Sequence, residues 1–221
     1  VAQLATVSWD RRDNPLGATR GTLLGGSVEH VRAFPGEDNP NTKLSDFLRV
    51  SGIVSAYLPL NDNGLTLAAS MRAGRIIQMM SSSDTYPDRL FFLGGVDSVR
   101  GFLRDSVVPQ DVAERILQGS PQDPNRLTVN QVAIRGGDVF LNPRLELRIP
   151  MTATVHTTLF MDSGNVWVEP EAFEPWKLRY ASGSGLRIAT PIGPLAFDYG
   201  INLDRRSWED FGAFHFSIGL F

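Results

Sequence analysis

Apolar and polar side chains alternate at period two through the second half of the chain. In residues 139–150 most odd positions are apolar, whereas most even positions are polar or charged. Because successive side chains of a β-strand point to opposite faces, this pattern predicts a strand with one apolar face. The same split recurs downstream and predicts five consecutive strands, at residues 139–150, 155–162, 178–188, 195–203 and 211–221.

The first half of the chain repeats the alternation more weakly. It predicts four more strands, at residues 1–10, 21–32, 47–58 and 65–76, and therefore about eight or nine in all. Strands of about 10 to 14 residues exceed the usual length in soluble sheets and fit tilted strands that span a membrane. The connections alternate between short turns and long loops, as in outer-membrane barrels. The pattern therefore predicts an all-β, antiparallel transmembrane β-barrel.

The polar face of the predicted strands is unusually rich in charge. A soluble β-sandwich, the alternative with one apolar face per strand, would scatter its polar groups over an outer surface. Here charged residues recur at matching depth on successive strands, which favours a polar lumen with ion pairs. These residues are Arg144, Glu146, Arg148, His156, Asp162, Arg179, Arg187 and Asp198. Aromatic residues near strand ends fit interfacial girdles: Trp9, Tyr57, Trp167, Trp176, Tyr180, Tyr199, Trp208 and Phe211.

Composition and residue chemistry narrow the function classes. With 21 basic and 24 acidic residues the net charge is −3, so nucleic acid is not an expected partner. The absence of cysteine excludes disulfides and thiolate sites. Of the three histidines, only His156 shares a predicted face with an acid, and neither a nucleophile elbow nor metal-ligand spacing is present. We therefore expect no enzyme activity, no catalytic residues, no cofactor and no metal.

A glycine-bounded turn at residues 92–102, with the sequence FLGGVDSVRGF, places one arginine, Arg100, between predicted strands. Two acids downstream, Glu146 and Asp162, lie on adjacent predicted strands. Both occupy positions of the period-two pattern whose side chains point to the polar, inward face, and such positions are said here to have inward parity. A guanidinium shared by two carboxylates in a confined space forms a strong, directional contact. The sequence therefore predicts that Arg100 pairs with both acids. This pairing either stabilises the loop or takes part in a conformational switch.

Four blocks of the chain, in order, carry a family resemblance. They are FLGGVDSVRGF at 92–102, LNPRLELRIP at 141–150, LFMDSGNVW at 159–167 and GSGLRIATPIGP at 183–194, followed by the ending FHFSIGLF. Together they resemble the Omp85 superfamily of bacterial outer-membrane barrels, in its insertase branch of BamA and TamA. The resemblance is strong over residues 92–221 and fainter towards residue 1.

The resemblance implies a sixteen-stranded barrel preceded by periplasmic POTRA domains. Residues 1–221 would then form the C-terminal part of the barrel domain, with the POTRA domains outside this chain. The loop would insert into the lumen, with Arg100, Glu146 and Asp162 as a lumenal latch. Within the loop motif, Gly101 would permit either close approach or a positive φ, and Val99 and Phe102 would complete the tip. The ending implies a C-terminal β-signal composed of Phe214, Phe216, Ile218, Leu220 and Phe221, although Phe221 has the opposite parity.

The functional expectation that follows is an outer-membrane protein assembly factor. Such an insertase opens a lateral gate and templates incoming strands by β-augmentation. Its partners would be outer-membrane lipid, nascent β-barrel proteins, periplasmic or lipoprotein accessory subunits and, in one arrangement, a second copy of itself. Two alternatives remain open at this point. One is a two-partner secretion pore, and the other is a smaller natural or engineered barrel without insertase activity.

Overall fold

Nine antiparallel strands form one sheet in chain order in the computed structural model. The structure describes residues 1–15, 17–33, 45–80, 83–119, 128, 136–190 and 195–218. The strands are β1 (Ala2–Asp10), β2 (Gly21–Ala33), β3 (Ser45–Pro59), β4 (Thr66–Gln78), β5 (Val139–Pro150), β6 (Val155–Trp167), β7 (Arg179–Ile188), β8 (Leu195–Asn202) and β9 (Gly212–Ile218). The described part of the β4–β5 connection contains helix α1 (Gln110–Gln118), and 3-10 turns occupy Pro87–Arg89 and Pro170–Ala172.

Each strand pairs with its neighbours in sequence, which confirms the predicted all-β antiparallel architecture. A single nine-stranded sheet is not a sandwich of two sheets, so that alternative is wrong. One predicted boundary also changes. The sequence ends this strand at residue 162, just before Gly164 and Asn165, but β6 continues to Trp167, and Asn165 pairs with Leu141 of β5. A glycine and an asparagine suit a turn locally, yet the ladder with β5 keeps them extended.

Short and long connections alternate along the sheet, as predicted. The links at 60–65 and 151–154 are short and lie at one end of the strands, whereas those at 79–138, 168–178 and 203–211 lie at the other. Outer-membrane barrels place short turns on the periplasmic side and long loops on the extracellular side. Among the described residues, no helix is both long and apolar enough to cross a membrane.

The two faces of the sheet differ in what covers them. The convex face carries exposed apolar side chains from most strands, including Leu24, Val54, Met71, Leu145, Leu159 and Phe214. On the concave face, the β4–β5 connection packs against the strands and buries an apolar cluster that includes Phe47, Ile76, Phe91, Phe140 and Val166. The nine-stranded sheet is called the wall below. The main apolar core lies on its concave side, between the wall and the β4–β5 connection.

Two of the predicted girdle aromatics are buried instead of exposed. Trp9, Trp176 and Tyr199 are exposed, as a girdle requires, but Tyr57 and Trp167 are buried. Tyr57 has inward parity and packs with Ala68, while Trp167 lies under the β6–β7 loop against Phe173. Tyr57 is buried because its side chain points inward, and Trp167 is buried because a loop packs over it. Neither cause follows from a position near the end of a strand.

The helix α1 packs through one face of its surface, because Ala113 and Ile116 are buried while Leu117 is exposed. Asp111 fixes the helix by accepting hydrogen bonds from the backbone N–H groups of Val168 and Glu169. The helix therefore docks on the start of the β6–β7 loop.

Candidate functional site

The β4–β5 connection turns back into the concave face at residues 94–102. Gly94 and Gly95 both have positive φ angles, of 112° and 101°, a backbone conformation that other residues rarely adopt. The turn is closed by hydrogen bonds from the N–H of Gly94 to the Ser98 hydroxyl and from the N–H of Gly95 to the carbonyl of Phe102. These bonds hold Arg100 at the tip, facing the wall.

Arg100 is almost completely buried and contacts both acids that the sequence singles out. Its Nε and Nη2 atoms donate to the two carboxylate oxygens of Asp162, at 2.7 and 2.9 Å. Its Nη1 atom donates to Glu146 at 2.7 Å, and its backbone N–H donates to Asp162 at 3.1 Å. The guanidinium also stacks on Phe160, 3.5 Å from the ring centroid. The structure thus brings Arg100, Glu146 and Asp162 together through a bidentate and a single contact.

The ionic network around Arg100 is larger than the sequence predicts. A third acid, Asp198 of β8, lies 3.6 Å from Arg100 and is held by Arg187 at 2.6 Å. Two further arginines neutralise the other acids, because Arg144 lies 3.2 Å from Asp162 and Arg148 lies 2.9 Å from Glu146. The sequence assigned these side chains to the polar lumen, but strand register decides which of them meet. The network joins β5, β6, β7 and β8 to the loop.

The other loop-motif residues lie in the apolar cluster beside this network. Val99 and Phe102 are buried there, and the guanidinium of Arg179 stacks over Phe102 at 5.1 Å from the ring centroid. Gly101 has no positive φ. A Cβ atom on it would lie 2.6 Å from the Cβ of Ala181, so glycine is needed there for close approach.

A second ionic cluster, which the sequence analysis missed, lies towards the long-loop side of the sheet. Arg179 donates to Asp204 at 2.7 Å and to Glu209 at 2.6 Å, both in the β8–β9 loop. Burial alone would raise the pKa of Glu209, but hydrogen bonds from Arg179 and from the backbone N–H of Arg206 lower it below its ordinary value. The inward parity of Arg179 was visible in the sequence, whereas its partners in an irregular loop had no periodic signal.

The last strand also contacts the loop. The Nε2 atom of His215 in β9 lies 3.0 Å from the carbonyl oxygen of Arg100. His215 also faces Asp198 across the β8–β9 ladder, so the expectation that only His156 shares a face with an acid is wrong. The predicted β-signal residues Phe214, Phe216 and Ile218 lie on the exposed outer face, whereas Leu220 and Phe221 lie outside the described residues.

Gly200 of β8 forms the wall against which the loop tip rests. A Cβ atom at this position would overlap the carbonyl group of Arg100 and approach the backbone nitrogen of Gly101 to 2.8 Å. We therefore expect Gly200→Ala to lower the free energy of unfolding by about 1 to 3 kcal/mol, because backbone on both sides must shift. Denaturant unfolding in detergent measures the change.

Gly17→Ala is the matched control for this substitution, because a Cβ atom there meets nothing within 4 Å. It should leave the free energy of unfolding within about 0.5 kcal/mol of the wild-type value. Equal stability of Gly200→Ala and Gly17→Ala would contradict the close packing of the loop tip on β8.

Comparison with known proteins assigns the chain to a protein family. The family model of the Omp85 superfamily domain matches residues 3–221, and the chain belongs to that superfamily. Outer membrane protein assembly factor BamA of Nitratidesulfovibrio vulgaris is 27% identical over 218 residues, and BamA of Neisseria meningitidis serogroup B is 24% identical over 249 residues. These matches cover 96% and 97% of this chain but only 24% and 28% of those proteins.

The same class appears among solved structures. The crystal structure of BamA from Haemophilus ducreyi, lacking POTRA domains 1–3, superposes with a TM-score of 0.73 at 21% identity, over 97% of this chain and 41% of that one. At this identity the likeness shows the fold. The nine-stranded sheet, its apolar convex face and the family membership make the chain an integral protein of the bacterial outer membrane. It spans well under half the length of the relatives it matches.

Proposed function

We propose that this chain forms the C-terminal wall of an outer-membrane protein assembly factor that inserts nascent β-barrel proteins. Support comes from the relatives in Nitratidesulfovibrio vulgaris and Neisseria meningitidis, which are outer membrane protein assembly factors. The observation that carries the proposal is the connection between the loop tip and the last strand, through His215 and the Arg100 carbonyl. In this proposal residues 1–221 are the C-terminal part of the barrel domain, and accessory subunits act on parts outside this chain.

The Arg100 network would serve as the fixed side of a lateral gate. Its contacts reach β5 through Glu146, β6 through Asp162 and β8 through Asp198, so the loop holds these strands at one register. A bound loop would keep the wall rigid while the last strand, still paired with β8, separates from the first strand of the full-length barrel. The latch then stabilises the resting wall, and release of β9 is the moving step.

The free edge of β9 would receive the incoming strand. Within the described residues β9 pairs with β8 along one side only. An unpaired strand edge presents a row of N–H and C=O groups that can pair with another chain. Nascent outer-membrane proteins, whose strands lack partners during insertion, have the matching chemistry.

Site-specific cross-linking tests this proposal, and the chain is suited to it because it contains no cysteine. A cysteine replacing Phe214, on the outer face of β9, should form disulfides with a cysteine in the terminal strand of a stalled substrate. Directly opposite residues of paired antiparallel strands have Cα atoms about 4.5 to 5.5 Å apart, within the range that a disulfide spans. The full-length protein in liposomes provides the assay, with acceleration of substrate folding recorded in parallel.

Leu145→Cys is the matched control, because Leu145 is exposed on the same face but its strand, β5, is paired on both sides. It should give no cross-link. Equal cross-linking from both positions would contradict templating at the edge. A large steady conductance without any acceleration of substrate folding would contradict the insertase and favour a secretion pore.

A further inference from the structure

Arg75 is an unusual residue on the convex face of the sheet. In β4 the even positions, such as Arg72 and Ile76, face the lumen, so Arg75 points outward with Met71 and Ile77. Its cross-strand neighbours are Val50 in β3 and Val139 in β5, both apolar and on the same face. The guanidinium is exposed, among side chains that otherwise suit lipid.

The other charged or histidine side chains with outward parity in the described strands neutralise one another. His30 and Arg32 of β2 lie 2.8 and 3.4 Å from Asp46 of β3. Arg75 differs, because within the described residues no hydrogen bond or ion pair engages its guanidinium. Its partner Val50 is four residues from Asp46, about 13 Å along the strand. Arg75 therefore lies deeper in the membrane than the cluster of His30, Arg32 and Asp46.

A groove surrounds Arg75 on this face. It has a volume of about 510 Å³, and apolar side chains from three elements form most of its lining: Ala73, Ile77, Val139, Leu141 and Phe173. The β6–β7 loop, which carries Phe173, forms one wall. The groove lies on β3, β4 and β5, in the interior of the sheet, so neighbouring strands flank it on both sides.

We propose that this groove binds lipid A, the phosphorylated glycolipid of the outer leaflet, with a phosphate on Arg75 and an acyl chain along the apolar lining. Arg75 lies three residues from the end of β4 that leads into the long β4–β5 connection, which is the extracellular side. A cation on the lipid face costs free energy unless an anion meets it. Arginine is well matched to phosphate because it donates two parallel hydrogen bonds.

Native mass spectrometry of the full-length protein, titrated with lipid A in detergent, tests the assignment. Arg75→Gln should raise the apparent Kd for lipid A about tenfold, the effect of losing one charge-assisted contact. Arg75→Lys should retain most of the affinity, because it keeps the charge. Arg32→Gln is the matched control, since that outward arginine is already beside Asp46, and its Kd should equal the wild-type value.

A second measurement needs no variant. Lipid A stripped of its phosphates should bind the wild-type protein about as weakly as intact lipid A binds Arg75→Gln, so the test holds even if that variant does not fold. Unchanged affinity in Arg75→Gln, or for the stripped lipid, would overturn the proposal. An Arg75-dependent affinity for phosphatidylglycerol without one for lipid A would also overturn it and assign the groove to phospholipid.

Discussion

Arg100→Ala is expected to lower the free energy of unfolding by about 3 to 5 kcal/mol, the usual result of removing one partner from a buried ion pair. The substitution leaves Asp162 and Asp198, both almost completely buried, without the cation that they share. It also removes the guanidinium that stacks on Phe160 and frees the loop tip from the wall. Heat-modifiable mobility on gels and urea unfolding in detergent measure the loss.

Arg104→Ala provides the control in the same loop. Its side chain is 90% exposed and, among the described residues, forms an ion pair with the neighbouring Asp105, so the variant should keep wild-type mobility and stability. Arg100→Lys separates charge from geometry. Lysine supplies a cation but not the fork that reaches Asp162 and Glu146 together, so its stability should fall between those of wild type and Arg100→Ala. An unchanged melting pattern in Arg100→Ala would contradict the latch.

Asp162→Ala is expected to cost about 3 kcal/mol, more than Glu146→Ala, at about 1 kcal/mol. Asp162 is completely buried and accepts three hydrogen bonds from Arg100 and one from Arg144. Glu146 is less enclosed, with a side chain 13% exposed, and accepts one bond from Arg100 and one from Arg148. The same unfolding measurement on both variants gives the order, and the reverse order would contradict this division between the two acids.

These two acid variants also address the role of the latch. If the network only stabilises the resting wall, substrate-folding activity at a temperature where each variant is folded should remain near the wild-type rate. If the network takes part in switching, activity should fall in Glu146→Ala although that variant remains stable. The comparison is informative because Glu146 lies on the open side of the network, beside Arg148 and the lumen.

One physical rule applies to both Arg75 on the convex face and Arg100 on the concave face. A guanidinium removed from water needs an anion, and the protein supplies one for Arg100 but none, within the described residues, for Arg75. For Arg100 the anions come from the wall itself. For Arg75 we infer that the membrane provides the anion.

Local patterns in the sequence were enough to predict the strands, the face that each side chain takes and the identity of the loop motif. Period-two alternation placed Glu146 and Asp162 on inward faces of adjacent strands, and a lone arginine between glycines pointed to them. These features are local, because parity repeats every two residues whatever the neighbouring strand does.

Strand register and loop packing determine which inward groups meet and which aromatic residues are covered. The contact between Arg100 and Asp198 depends on the stagger of β8 against the loop, and that of Arg179 with Glu209 depends on an irregular loop. The buried state of Trp167 depends on the β6–β7 loop, which folds over the outer face of the wall. Periodicity fixes a face but not a depth or a register, because depth and register follow from hydrogen bonding between strands and from where the long loops pack.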